Sequence, residues 1–222
     1  ESSEERAEHL SNIVMNPGPD ETQMYFTWYA DVKKDGYVAL AKYDTLVDGK
    51  MPENAVKQAA AVQKATDGNY NYKVTAENLE KGVKYAYQVV SGNYKSDIYS
   101  FTTGSGKTDF SFGFVADIQI VGSNNTKWAD SLKKLVTNFP NQSFLLSAGD
   151  QINTNSSEVE YDHLPDLEQM RSLPFAPVVG NHDRNAIYQE HFTQPNLSEK
   201  YGITPGGADA YFVYNDVLFL LI

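Results

Sequence analysis

Phe175-Ala-Pro-Val-Val-Gly-Asn-His-Asp183 runs an apolar strand straight into a glycine, an amide, an imidazole and a carboxylate. The same arrangement stands earlier in Ser143-Phe-Leu-Leu-Ser-Ala-Gly-Asp150, and earlier still in Phe110-Ser-Phe-Gly-Phe-Val-Ala-Asp-Ile-Gln119. The three are separated by about thirty residues each, the length of one strand-helix-strand unit. Between the first two, residues 126–139 place Trp128, Leu132, Leu135, Val136 and Phe139 on one helical face. Between the second and third, residues 158–172 read as helical with an interruption at Pro165. The pattern predicts βαβαβ with a parallel sheet, whose strands end in Asp117-Ile-Gln119, Gly149-Asp150 and Gly180-Asn-His-Asp183. Loops converge outside the carboxyl ends of such strands, so the three polar clusters are expected to meet on one edge. A final pair, residues 210–214 and 217–222, predicts a hairpin across Asn215-Asp216.

Taken singly, each cluster has a plainer explanation. Gly-Asp is a common turn, Asp117 suits a helix cap, and a lone histidine is usually at the surface or satisfied in a core. Three clusters in order, each directly after an apolar strand, favour a functional site.

Toward the amino terminus the periodicity changes. Residues 24–30, 37–43, 71–75, 84–90 and 97–102 are short β-rich runs full of tyrosine and separated by Gly, Asn and Asp. They predict an antiparallel sandwich with Trp28 inside and its tyrosines used for packing, not for carbohydrate stacking. Leu79, Gly82 and Tyr85 form the pattern of a corner in which a tyrosine hydroxyl meets upstream backbone, and with Trp28 they resemble fibronectin type III-like domains. Residues 51–67, rich in Ala, Gln and Lys, read as a short helix or a decorated loop. The organisation expected is a sandwich over 1–103, a linker over 104–108 and an α/β domain over 109–222. Thr103-Gly-Ser-Gly-Lys-Thr108 is not a phosphate-binding loop, because Phe101 stands where the earlier glycine belongs and a strand, not a helix, follows.

Composition bounds the function. The chain has 222 residues, 18 Lys+Arg against 29 Asp+Glu, a net charge of -11 and no cysteine. Hydrophobic residues at 41% and charged residues at 21% argue for a folded globular body. The acidic surface disfavours nucleic acid as a bulk partner, and any metal must be held by oxygen and nitrogen. No stretch is long and apolar enough to span a membrane, and Glu1 to His9 lack the pattern of a signal peptide. Asn124, Asn141, Asn155 and Asn196 open N-x-Ser/Thr patterns, to which no role is assigned.

The ordered set Asp117-Ile-Gln119, Gly149-Asp150, Gly180-Asn-His-Asp183 resembles the calcineurin-like metallophosphoesterases, and the sandwich in front is similar to the purple acid phosphatase branch. The resemblance implies two metal ions, among Mn, Fe, Zn and Mg. Asp117 and Gln119 would hold one, Asp150 would bridge and Asn181 would hold the other. A metal-bridging hydroxide would attack a small phosphoester, His182 would serve the leaving oxygen, and Asp183 would orient the imidazole. It also implies an extracellular or cell-surface location. The sequence departs from the family in three ways. Gln119 stands where most members have histidine. Asn153 stands where the purple enzymes place their iron-ligating tyrosine, which predicts a colourless protein. The later histidine and the Gly-His-x-His segment are not matched, so the chain reads as the amino-terminal part of a longer enzyme, with His9, His163 and His191 structural or solvated. The alternatives are a degenerate binding module and a phosphodiesterase or nucleotidase of the same superfamily.

Overall fold

A computed structural model describes residues 9–107 and 109–222. Glu1 to Glu8, and Thr108 of the expected linker, lie outside the described residues.

The amino-terminal half is built from β1 (Leu10–Pro17), β2 (Met24–Ala30), β3 (Gly36–Lys42), β4 (Val56–Ala59), β5 (Ala61–Lys64), β6 (Tyr70–Ala76), β7 (Lys84–Ser91), β8 (Tyr94–Lys95) and β9 (Tyr99–Thr102). One sheet runs β1-β2-β6-β5; the other runs β4-β3-β7-β8, with β9 also on β7. All these pairs are antiparallel. The two sheets close over Met15, Phe26, Trp28, Val38, Tyr72, Tyr87 and Phe101. Trp28 is fully buried, stacks on Tyr72 at 5.2 Å and donates its indole N–H to Ser91 Oγ at 2.8 Å, so its one polar atom is satisfied. The corner forms as expected: the Glu80 N–H donates to the Tyr85 hydroxyl at 2.9 Å.

Residues 51–67 correct the sequence reading. They hold neither a helix nor a simple loop but two short strands, β4 on one sheet and β5 on the other, with Ala60 at the crossing. Both are edge strands with mostly exposed side chains, which is why lysine and glutamine suit them.

The carboxyl-terminal half contains β10 (Ser111–Val115), α1 (Thr126–Asn138), β11 (Gln142–Ser147), α2 (Glu158–His163), β12 (Phe175–Pro177), α3 (Ala186–His191), β13 (Ser198–Thr204), β14 (Gly207–Tyr214) and β15 (Val217–Leu221). β10, β11 and β12 pair in parallel, with Leu145 opposite Gly113 and Phe175. Successive side chains of β11 face opposite layers. Leu145 joins Trp128, Leu132, Ile152 and Tyr161 on the helical side, whereas Phe144 packs with Phe212 and Leu221 of the β13-β14-β15 sheet. The β14-β15 turn falls on Asn215 and Asp216, both left-handed, as a tight hairpin of this kind requires. One residue expected on the helical face departs from it. Phe139 caps the helix in non-helical backbone and is 63% exposed, off the buried face.

The two halves share packing. Val14 of β1 belongs to the helical-side core. The Asn16 side chain donates to the Phe175 carbonyl at 2.7 Å and accepts the Thr193 N–H at 2.8 Å. Arg171 donates to the carbonyls of Ile13 and Pro165 at 2.7 and 2.6 Å. The stretch between the halves is held too, since the Gly106 N–H donates to Asn215 Oδ1 at 2.9 Å. Among the described residues no helix is long and apolar enough to cross a membrane.

Candidate metal centre

At the carboxyl edge of the parallel sheet the loops after β10 and β11 are joined backbone to backbone. Asp117 N–H donates to Gly149 O at 3.1 Å, Gln119 N–H to Asp150 O at 3.0 Å, Ile120 N–H to Gln151 O at 3.2 Å, and Asn153 N–H to Ile120 O at 3.0 Å. The loop after β12 then packs onto Gly149 and Asp150. The His182 N–H donates to Asp150 Oδ1 at 3.0 Å, and a Cβ placed on Gly180 would lie 2.1 Å from that same oxygen. The backbone therefore gathers Asp117, Gln119, Asp150, Asn181 and His182 at one edge. Asp117 and Asn181 are exposed, and Gln119, Asp150 and His182 are half-buried.

Asp117, Gln119 and Asp150 all have left-handed backbone, with φ of 50°, 43° and 54°. Side chains with a Cβ avoid this region, and glutamine has less local compensation than aspartate. Three such residues in two adjoining loops mark stored strain of the kind that accompanies positioned chemistry. The donors on offer are two carboxylates and two amide oxygens, which suit hard divalent cations.

Asp183 is placed differently from expectation. It is fully buried and its carboxylate accepts from the Gln151 N–H at 3.2 Å, the Gly180 N–H at 3.0 Å, the Gln151 side chain at 3.1 Å and the Tyr161 hydroxyl at 3.2 Å. The His182 ring instead donates Nδ1–H to the Asn153 carbonyl. Asp183 thus ties the second and third loops together beneath the edge and does not orient the imidazole. Burial raises its carboxyl above the usual range against the lowering effect of the Gln151 and Gly180 amides, and the Asp150 charge adds to the rise.

Glu160 escaped the sequence reading. Its carboxylate, 2% exposed, accepts the N–H groups of Gly122 at 2.9 Å, Asn153 at 2.9 Å and Thr154 at 2.6 Å, clamping the first two loops from behind. The signal was Ser157-Glu-Val-Glu160, an S-x-x-E capping pattern. Ser157 Oγ does accept the Glu160 N–H, at 3.4 Å, but the glutamate reaches across to the loops. Burial alone would raise this carboxyl; the three backbone donors outweigh it and hold it below its ordinary value of 4.5. A group held low in the fold contributes stability above its unfolded value and loses it as pH falls through the folded one. Glu160→Gln is therefore expected to cost about 1–3 kcal/mol at neutral pH, and the gap to wild type should narrow below pH 4.5. Thermal unfolding across pH checks both.

Fold and site together define a phosphoesterase architecture with a sandwich in front. Residues 110–221 match the family model described as calcineurin-like phosphoesterase, and residues 10–103 match that of the purple acid phosphatase N-terminal domain. The chain belongs to the calcineurin-like phosphoesterases. Among solved structures it is similar to purple acid phosphatase PPD1 from yellow lupin (Lupinus luteus) seeds, with a TM-score of 0.68, 14% identity, and coverage of 93% of this chain and 43% of that one. It is also similar to PhoD, with a TM-score of 0.63, 12% identity, and coverage of 94% and 50%. The chain thus spans half or less of the length of these proteins. No curated protein matches it.

Proposed function

We propose that this chain takes part in metal-dependent hydrolysis of small phosphoesters, with Asp117, Gln119, Asp150 and Asn181 holding two cations. The observation that carries the reading is the run of left-handed donor residues at Asp117, Gln119 and Asp150, laced together by backbone hydrogen bonds. Bound divalent cations supply Lewis acidity and lower the pKa of coordinated water. The protein's own part is placement. Asp150 directs one oxygen to the His182 amide, which leaves the other for a cation. His182, with Nδ1–H given to the Asn153 carbonyl, keeps Nε2 to hand a proton to a departing alkoxide. Asp183 acts as a positioning residue, since it fixes the turn that carries Asn181 and His182.

The test is hydrolysis of an aryl phosphate monoester and of its diester with Mn²⁺, Fe, Zn²⁺ or Mg²⁺, in residues 1–222 and in the protein at its full encoded length. Turnover that chelation abolishes and a returned cation restores is the expected result, and the faster ester assigns the class. Turnover indifferent to chelation, or none with any cation at full length, overturns the reading; the second result with retained binding of a phosphorylated or glycan ligand favours a binding module. An extracellular or surface location belongs to the same proposal and is checked by cell fractionation.

A further inference from the structure

Away from the sheet edge, α2 and α3 bring a second donor set together. Glu158 and Asp162 stand one helical turn apart on α2, where residues i and i+4 share a face. His191 ends α3, and one donor atom from each of the three lies within 4.8 Å of the others. His191 Nε2 is 2.8 Å from Glu158 Oε1. The imidazole is 1% exposed and stacks on Tyr29 of the sandwich at 4.8 Å and on Tyr161 at 5.0 Å. Asn12 of β1 donates to Asp162 Oδ1 at 2.6 Å.

A simple imidazolium-carboxylate pair accounts for only part of this. It leaves Asp162 facing Glu158, like charge against like charge, and it leaves Glu158 Oε2 buried with no hydrogen-bond partner. A buried carboxylate oxygen without a protein partner calls for a water or a cation, and the second carboxylate and the imidazole beside it favour the cation. Tetrahedral donors at about 2.0–2.2 Å from an ion stand roughly 3.3–3.6 Å apart, a separation the observed cluster meets with small side-chain shifts. A cleft of about 410 Å³, lined by Asn12, Asp162, His163, Asp166 and Arg171 among others, reaches Asp162 from solvent and supplies an entry path.

We infer that Glu158, Asp162 and His191 bind a divalent cation, of the zinc or manganese class, at the joint between the sandwich and the α/β half. One nitrogen and two carboxylates suit these ions, and the Asn12 amide on Asp162 is the outer contact that holds such a ligand in place. The ion fastens α2 and α3 to each other beneath Tyr29 and uses none of the sheet-edge donors.

Zn²⁺ is the probe. In an Asp117→Asn/Asp150→Asn variant, which strips the carboxylates from the sheet edge, titration calorimetry is expected to retain about one Zn²⁺ per chain, and Zn²⁺ is expected to raise the melting temperature. Adding Glu158→Gln and Asp162→Asn, near-isosteric changes whose fold is verified by circular dichroism, should weaken that binding roughly tenfold or more and remove the thermal shift. His191→Gln should do the same, but the two carboxylate changes decide the matter if that variant does not fold. Absence of Zn²⁺ from the edge-stripped variant, or Zn²⁺ binding that survives the carboxylate changes, overturns the inference. Failure of phosphoester hydrolysis leaves these readouts unmoved, so the two proposals fail separately.

Discussion

Asp150→Asn should fold as the parent does and lose roughly 10²–10³-fold of metal-dependent phosphoester hydrolysis. Asp150 has φ of 54°, and asparagine enters that region as readily as aspartate. The amide oxygen of asparagine can still accept the His182 N–H now taken by Asp150 Oδ1. Shape, backbone and that hydrogen bond are kept, so the change removes only the charge and the second carboxylate oxygen, the one proposed to face a cation. A neutral amide is a weaker ligand for a hard divalent ion, and cation affinity should fall with the rate. Unfolding temperature, metal content and kcat/KM measured together separate this from simple instability. An unchanged rate at an unchanged melting temperature would remove Asp150 from the site and return the binding-module reading to the front.

The second large effect is expected from Gly180→Ala. Gly180 has ordinary extended backbone, so conformational freedom is not the issue. Space is: an added Cβ would sit 2.1 Å from Asp150 Oδ1 and 2.2 Å from Asp150 N, and Gly149 opposite is also closely placed, with its own virtual Cβ 2.8 Å from the Gly180 Cα. The two loops touch backbone to backbone, and one methyl must push them apart. Overpacking of this kind costs about 1–3 kcal/mol, equivalent to roughly 2–4 °C in melting temperature per kcal/mol at this size. Displacing Asp150 by about an ångström should cost roughly 10²-fold in rate. Parent-like melting and turnover would mean that the third loop does not seat on the second in solution.

The α/β half was the more legible part of the chain, because its strands are buried apolar runs and each polar cluster follows its strand directly. Thr126–Asn138, the βαβαβ order and the Asn215-Asp216 hairpin all followed from period and turn chemistry. The sandwich hid more. Leu10–Pro17 is buried along nearly its whole length, pressed between β2 and β12, so it shows no two-residue alternation, and it carries Asn12 and Asn16 for contacts made with the other half. Val56–Lys64 looks helical by composition, yet edge pairing in the sheets overrides that preference. At the site, sequence order announced which residue types would gather but not their division of labour. His182 and Asp183 are neighbours in the chain, and only the tight turn at Asn181–Asp183 sends one side chain outward to Asn153 and the other inward to Gln151, Gly180 and Tyr161. The left-handed backbone at Asp117 and Asp150 is one aspartate tolerates, but that at Gln119 has no compositional trace.

Asn16 serves both halves at once, with Val14 beside it in the other half's core. A protease that nicks the exposed Ser105–Lys107 stretch should consequently release no separate pieces under native conditions. The cut molecule should travel as one particle in gel filtration and melt in a single transition, and the fragments should part only in denaturant.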